Sequence, residues 1–178
     1  MKRYLFYLLM LPLAFGCGKL PTTSKGGVYV NNSIDIELRS AFVGGGIADP
    51  SEGSSHRFHM YEGNYQEGPQ WDEVKEVVYI GGFCHSGKDY SNLADCIDEI
   101  VINGLPSIGS LSVTLNQGRY EGGNDAVSAV RINEYSFGEY DKEGNQIKNS
   151  QIDIDIILKD GRTISVRYSG KTPYDGYY

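Results

Sequence analysis

The chain is 178 residues long, with a formal net charge of −7, fourteen tyrosines against six phenylalanines, and three cysteines. An acidic balance argues against a phosphate-binding surface, which needs clustered Lys and Arg, so nucleic acid is not expected as a partner. The length suits one domain with a real hydrophobic core. The tyrosine-heavy balance fits a β protein with wet edges as well as a sugar-binding face.

Residues 1–16 read as a lipoprotein signal peptide, with cations at Lys2 and Arg3, an apolar run from Tyr4 to Phe15, and a small residue, Gly16, before Cys17. The run is too short for the roughly twenty residues that a bilayer-spanning helix needs. Cys17 is the expected lipidation site and the new N-terminus, anchoring the protein to a membrane. Ala14-Phe15-Gly16 also satisfies the small-x-small rule of the ordinary signal peptidase, the competing reading of the same bond. Cleavage there removes two cations and no acids, leaving 162 residues with a net charge of −9.

Gly18 to Gly27 has no periodicity and reads as a flexible tether spanning roughly 17 Å, with the domain beginning near Val28 and running to Tyr178. From there short alternating runs are split by Gly, Asn and Asp, without a long helical stripe. This pattern predicts an all-β fold, a single antiparallel sandwich or partly closed barrel of about eight strands with at most one short helix. Ile34, Ile36 and Leu38 alternate with Asp35, Glu37 and Arg39 as a half-wet strand. Further strands are expected at 57–62, 74–83, 97–102, 110–116, 126–137, 151–158 and 162–169, and a helical turn at Ser91 to Cys96, capped by Ser91.

The C-terminal hairpin can be read to the register. Ile152, Ile154, Ile156 and Leu158 must share a face with Ile164, Val166 and Tyr168, so the loop needs an odd number of residues. A three-residue loop, Lys159-Asp160-Gly161, with Gly161 left-handed, pairs Ile156 with Ile164, Ile154 with Val166 and Ile152 with Tyr168. It also sets Asp153 opposite Arg167 on the wet face. Lys142-Glu143-Gly144, between Tyr140 and Gln146, repeats that turn chemistry.

The stretches VYVNNSIDIELRSAF (28–42) and DIDIILKDGRTISVRYSG (153–170) resemble the short β-rich lipoproteins of unknown function from gut bacteria of the Bacteroides group. The resemblance implies a lipidated cysteine, a tether and a compact β-sandwich or barrel in the outer membrane. It brings no catalytic residues. Surface-displayed lipoproteins of that group often carry an acidic run after the cysteine; Gly18-Lys19-Leu20 here favours attachment facing the periplasm, with surface display as the alternative.

With Cys17 acylated, Cys84 and Cys96 form an even pair in an oxidising compartment, so a disulfide closing a loop of about thirteen residues is expected. The sharper alternative is a nucleophilic thiol at Cys84, since Gly82-Phe83-Cys84-His85-Ser86 faintly resembles a nucleophile elbow. His56 and His59 suggest a ligand pair, but three residues apart on a strand they project to opposite faces. Both, with His85, are therefore expected as surface histidines. Asp141 to Asn145 resembles half of a calcium loop, but its twelfth position is Ile152 and not Glu. No metal or other cofactor is expected.

Asp95, Asp98 and Glu99 are the carboxylates for a glycosidase-like pair, with a solvated loop as the plainer account. Aromatic residues cluster at Phe58, Tyr61, Tyr65 and Trp71 and again at Tyr174, Tyr177 and Tyr178, with Asn64, Gln66 and Gln70 able to bond sugar hydroxyls. Tyr61, Tyr65, Trp71 and Tyr174 are the candidate ligand-binding residues. The leading expectation is thus a non-catalytic binding or accessory lipoprotein acting on a glycan or a protein partner. A lipocalin-like carrier of a small apolar ligand comes second, and a hydrolase third.

Overall fold

A computed structural model describes residues 25–49, 53–65, 75–86, 93–143 and 145–173. The expected signal peptide, Cys17, Trp71 and Tyr174 lie outside the described residues. Among the described residues twelve strands follow one another: β1 Lys25–Val30, β2 Ser33–Leu38, β3 Ser40–Asp49, β4 Gly53–Tyr61, β5 Val78–His85, β6 Ile97–Leu105, β7 Gly109–Thr114, β8 Val127–Ser136, β9 Glu139–Tyr140, β10 Gln146–Lys148, β11 Ser150–Leu158 and β12 Thr163–Gly170. Ten of them form two five-stranded sheets, ordered β2-β1-β12-β11-β8 and β3-β4-β5-β6-β7, while β9 and β10 make a small ribbon. All pairings are antiparallel. The fold is therefore all-β, as the patterning requires, with two open sheets and no closed barrel among the described residues.

β11 buries every second residue from Ser150 to Leu158, and β7 does the same at Leu111 and Val113. Burying an Ile or Val side chain stabilises by about 1.5–3 kcal/mol, and these rows meet in one core that joins both sheets. The C-terminal hairpin has the anticipated register, with Ile156 opposite Ile164, Ile154 opposite Val166, Ile152 opposite Tyr168 and Asp153 opposite Arg167. Gly161 takes φ +89°, the left-handed conformation that this loop needs. At the other predicted turn Asp141 accepts hydrogen bonds from the backbone N–H groups of Glu143 and Asn145, so its carboxylate closes a hairpin.

Three features depart from the sequence reading. The first strand begins at Lys25, three residues inside the expected tether. Gly26 lies there because a Cβ would press on the Tyr168 ring at 2.6 Å, so the glycine serves close packing and not flexibility. The second is β3, whose SAFVGGGIAD has no alternation and gives no strand signal. It almost continues β2, with only Arg39 between them, so the chain passes from one sheet to the other at that residue. The Arg39 N–H donates to the Tyr61 carbonyl at 2.9 Å, which starts the β3–β4 ladder at this corner. The third is one of type only: the short helical turn expected up to Cys96 is present, as a 3-10 turn over Leu93–Cys96, with Ser91 outside the described residues.

The outer margin of β3 does not stand open. Val43 N donates to the carbonyl of Pro173 at 3.1 Å, so the segment after β12 runs beside this edge. Thr172 pins that segment through Ser150 Oγ at 2.5 Å, through its N–H on Gln146 Oε1 at 2.7 Å and through its carbonyl, which accepts from the Tyr140 hydroxyl at 2.7 Å. Covering an edge strand in this way removes a template for unwanted strand pairing.

Candidate ligand-binding site

Strand alternation sorts β4 into an inner set, His56, Phe58 and Met60, and an outer set, Arg57, His59 and Tyr61. The outer set should be wet, yet residues 58 to 61 are all buried. Two cross-strand rows define this outer face. One runs Phe42, His59, Tyr79, Val101; the next runs Gly44, Arg57, Gly81, Glu99. The glycines on either side of Arg57 make the second row low. A Cβ at Gly81 would overlap the Tyr79 hydroxyl, so the Tyr79 ring lies across that strand towards Glu99.

Two polar pairs are held on this side of the sheet, His59 with Glu76 and Ser112 with Glu99. His59 Nδ1 stands 2.5 Å from Glu76 Oε1, and a carboxylate can only accept, so Nδ1 carries the hydrogen. The His59 ring lies 5.4 Å from that of Tyr79. Burial raises the Tyr79 hydroxyl above the ordinary tyrosine range, opposed by the Arg57 cation and reinforced by Glu99 and Glu76. Ser112 Oγ reaches Glu99 Oε1 at 3.5 Å from the neighbouring strand. Arg57 and Glu99 are exposed and Tyr79 is half-buried. The face therefore offers an aromatic plate beside a guanidinium donor and a carboxylate acceptor, held on rigid strands.

Two of the four candidate ligand-binding residues can be placed, and both belong to this side of the sheet. Tyr61 is only 3% exposed, its ring edge-on to Phe42 at 6.0 Å and to Tyr65 at 5.7 Å. Tyr65, half-buried, folds over Gly63. Tyr61 is thus packing that supports the face, and the exposed functional groups are Arg57, Tyr79 and Glu99. Their signal in the sequence was the alternation at 57, 59 and 61 together with glycines at 44 and 81. Recognising it requires knowing the strand neighbours.

The outer face of the first sheet has different chemistry. Asn133 Nδ2 bridges Asp153 Oδ1 at 3.3 Å and Asp155 Oδ2 at 3.1 Å. Ser165 Oγ donates to Asp155 at 2.5 Å, and Arg167 lies 3.6 Å from Asp153 and over the Tyr29 ring at 5.5 Å. Asp153, Asp155 and Arg167 are thus paired with one another.

Cys84 and Cys96 form a disulfide, with Cα atoms 5.0 Å apart. A bridged sulfur is not a thiolate, so the nucleophile reading of Cys84 is withdrawn. Of the carboxylates, Asp95 is exposed on the 3-10 turn, Asp98 sits in the bulge where Gly81 pairs with Glu99 and Gly82 with Ile97, and Glu99 faces outward.

The histidines also correct the sequence reading. His56 and His59 do face opposite sides, but neither is a surface residue; they are 6% and 3% exposed. His59 is covered on the outer face, while His56 points between the sheets, its ring 5.7 Å from Tyr135 and 5.3 Å from Phe137. His56 Nδ1 is 4.0 Å from Cys84 Sγ. Burial lowers the His56 pKa to about 4 and pushes the Tyr135 hydroxyl well above its usual range. Gly82 makes room for this arrangement, since a Cβ there would overlap the Cys96 carbonyl and stand 2.8 Å from His56 Cε1. Among the described residues no group of three His, Cys, Asp or Glu side chains is placed to hold a metal ion. Comparison with protein-family models, with curated proteins and with solved structures gave no match to this chain.

Proposed function

We propose that this protein is a lipid-anchored, non-catalytic binding protein of the outer membrane, taking a glycan on the outer face of the β3–β7 sheet. One observation carries this reading: Arg57, Tyr79 and Glu99 stand together on one face of the sheet, beside the hydrogen-bonded pair of His59 and Glu76. Sugars present an apolar ring face and a rim of hydroxyls that both donate and accept. An aromatic plate flanked by a donor and an acceptor matches both properties. Charges of both signs act on Tyr79, the Arg57 cation against Glu99 and Glu76, and this mixed charge favours a neutral ligand over a polyanion. The carrier alternative draws no support from two open sheets with packed inner faces, since a lipocalin-like site needs a closed barrel around it.

A microarray of neutral, uronate-containing and amino-sugar oligosaccharides tests the ligand class: binding is expected among the neutral glycans, and binding confined to uronates would overturn the charge argument. The anchor is tested by Cys17→Ser, which should move the protein from the membrane fraction to the aqueous fraction. Unchanged membrane association would remove lipidation at Cys17 from the account.

A further inference from the structure

The interior beside the disulfide holds two polar atoms that the fold does not satisfy. His56 Nε2 and Tyr135 Oη are both buried, and neither has a hydrogen-bond partner among the described residues. Buried polar side-chain atoms without partners are uncommon in folded proteins and each is costly, so two on adjacent rings ask for a shared explanation. The rings belong to opposite sheets, His56 on β4 and Tyr135 on β8, with centroids 5.7 Å apart.

The disulfide decides which partner His56 needs. A disulfide sulfur carries no hydrogen and is only a weak acceptor, so the 4.0 Å contact from Nδ1 to Cys84 Sγ is favourable only if Nδ1 carries the proton. Burial keeps the ring neutral at neutral pH, with a pKa of about 4. A neutral ring protonated at Nδ1 presents a bare lone pair at Nε2, which requires a donor. The Tyr135 ring faces His56 from the opposite sheet, yet its phenol makes no direct bond to Nε2.

We infer that His56 Nε2 and Tyr135 Oη together bind one buried water molecule, and that the Cys84–Cys96 disulfide selects the Nδ1–H tautomer of His56 that accepts from it. The water donates one hydrogen to Nε2 and exchanges a second hydrogen bond with Oη, giving it the minimum of two polar partners that internal waters have. The surrounding rings set the polarity of the site. Phe58 lies 5.4 Å from Tyr135 and 4.8 Å from Phe137, and Phe137 closes on His56, so the walls are aromatic and admit a small neutral hydroxylic molecule in preference to an ion.

Nuclear magnetic resonance on the whole protein labelled with 15N-histidine tests both halves of the inference. The His56 resonances, assigned by their loss in His56→Gln, should show a protonated Nδ1 and an unprotonated Nε2, with a rotating-frame cross-peak from the His56 or Tyr135 ring protons to water. In Tyr135→Phe the water cross-peak should be lost and the Nδ1–H tautomer kept, because the sulfur sets it. An Nε2–H tautomer in the unmodified protein would overturn the inference. So would an Nδ1–H ring without any water contact, since Nε2 would then be served by Tyr135 alone. Should Tyr135→Phe fail to fold, the tautomer and cross-peak of the unmodified protein decide the matter by themselves.

Discussion

Replacing Cys84 and Cys96 together with alanine is expected to lower the stability of the protein by about 3 kcal/mol, the chain-entropy value for a loop of this size. The bridge spans twelve positions in sequence and ties the end of β5 to the 3-10 turn that feeds β6. Without it the unfolded chain regains the freedom that the closed loop removes, while the folded chain loses a contact deep in the structure, since Cys96 is almost wholly buried. Gly82 lies against the Cys96 carbonyl and His56 against Cys84, so the two strands and the histidine lose a common support. Urea unfolding of the two forms measures the difference. The midpoint should fall with little change in the dependence on urea, and a difference below about 0.5 kcal/mol would mean that packing alone holds this corner.

The second large effect is acid sensitivity carried by His56. Its ring takes a proton near pH 6.5 in the unfolded chain but only at about 4 in the folded protein, because burial penalises the imidazolium. Above pH 6.5 neither state is protonated and the full stability is present. As the pH falls from 6.5 towards 4, only the unfolded state gains the proton, so stability is lost progressively. Below about 4 both states are protonated and this loss is complete. The shift corresponds to about 3 kcal/mol over that window. Carboxylates begin to titrate in the same acidic range, so the quantity to read is the difference between the protein and His56→Phe. The protein should lose stability more steeply than the variant between pH 6.5 and 4. Parallel curves would show that His56 is not the group responsible.

The parts of the fold that were legible in the sequence are those where one face is wet and the other dry. β11 and β12 alternate cleanly, and the need to keep Ile154 and Val166 on one side leaves a single loop length between them, so their register followed from the residues alone. β3 and the outer half of β4 were not legible, for a physical reason. Alternation reports which residues share a face but not whether something covers that face, and Ser40 to Gly44 and Phe58 to Tyr61 are buried on both sides. The same gap misplaced the histidines. Their opposite orientation follows from strand geometry, whereas the burial of His56 depends on Tyr135 and Phe137 from the other sheet, about eighty positions away. Gly26 and Gly27 read as linker because glycine serves both flexibility and close approach, and only the Tyr168 ring above Gly26 tells the two apart.

The candidate site was visible as a neighbourhood and not as a set of residues. Tyr61 and Tyr65 drew attention to the end of β4, and the groups that reach solvent beside them come from three strands. Arg57 and Tyr79 meet because β4 pairs with β5, and Glu99 joins them across Gly81. A partner strand cannot be named from local periodicity, so the trio had no sequence signature. The outer face of the first sheet serves as the internal control, because Asn133, Asp153, Asp155 and Ser165 there are already bonded to one another.

The measurement that tests the binding face most directly is the affinity of the neutral oligosaccharide best retained on the array, taken by titration calorimetry for the unmodified protein, Tyr79→Ala and Arg167→Ala. Removing the Tyr79 ring should weaken binding at least tenfold, a loss of about 1.4 kcal/mol, while Arg167→Ala, on the opposite sheet, should leave it unchanged. Loss on Arg167→Ala with Tyr79→Ala unaffected would place the ligand on the other face and contradict the account.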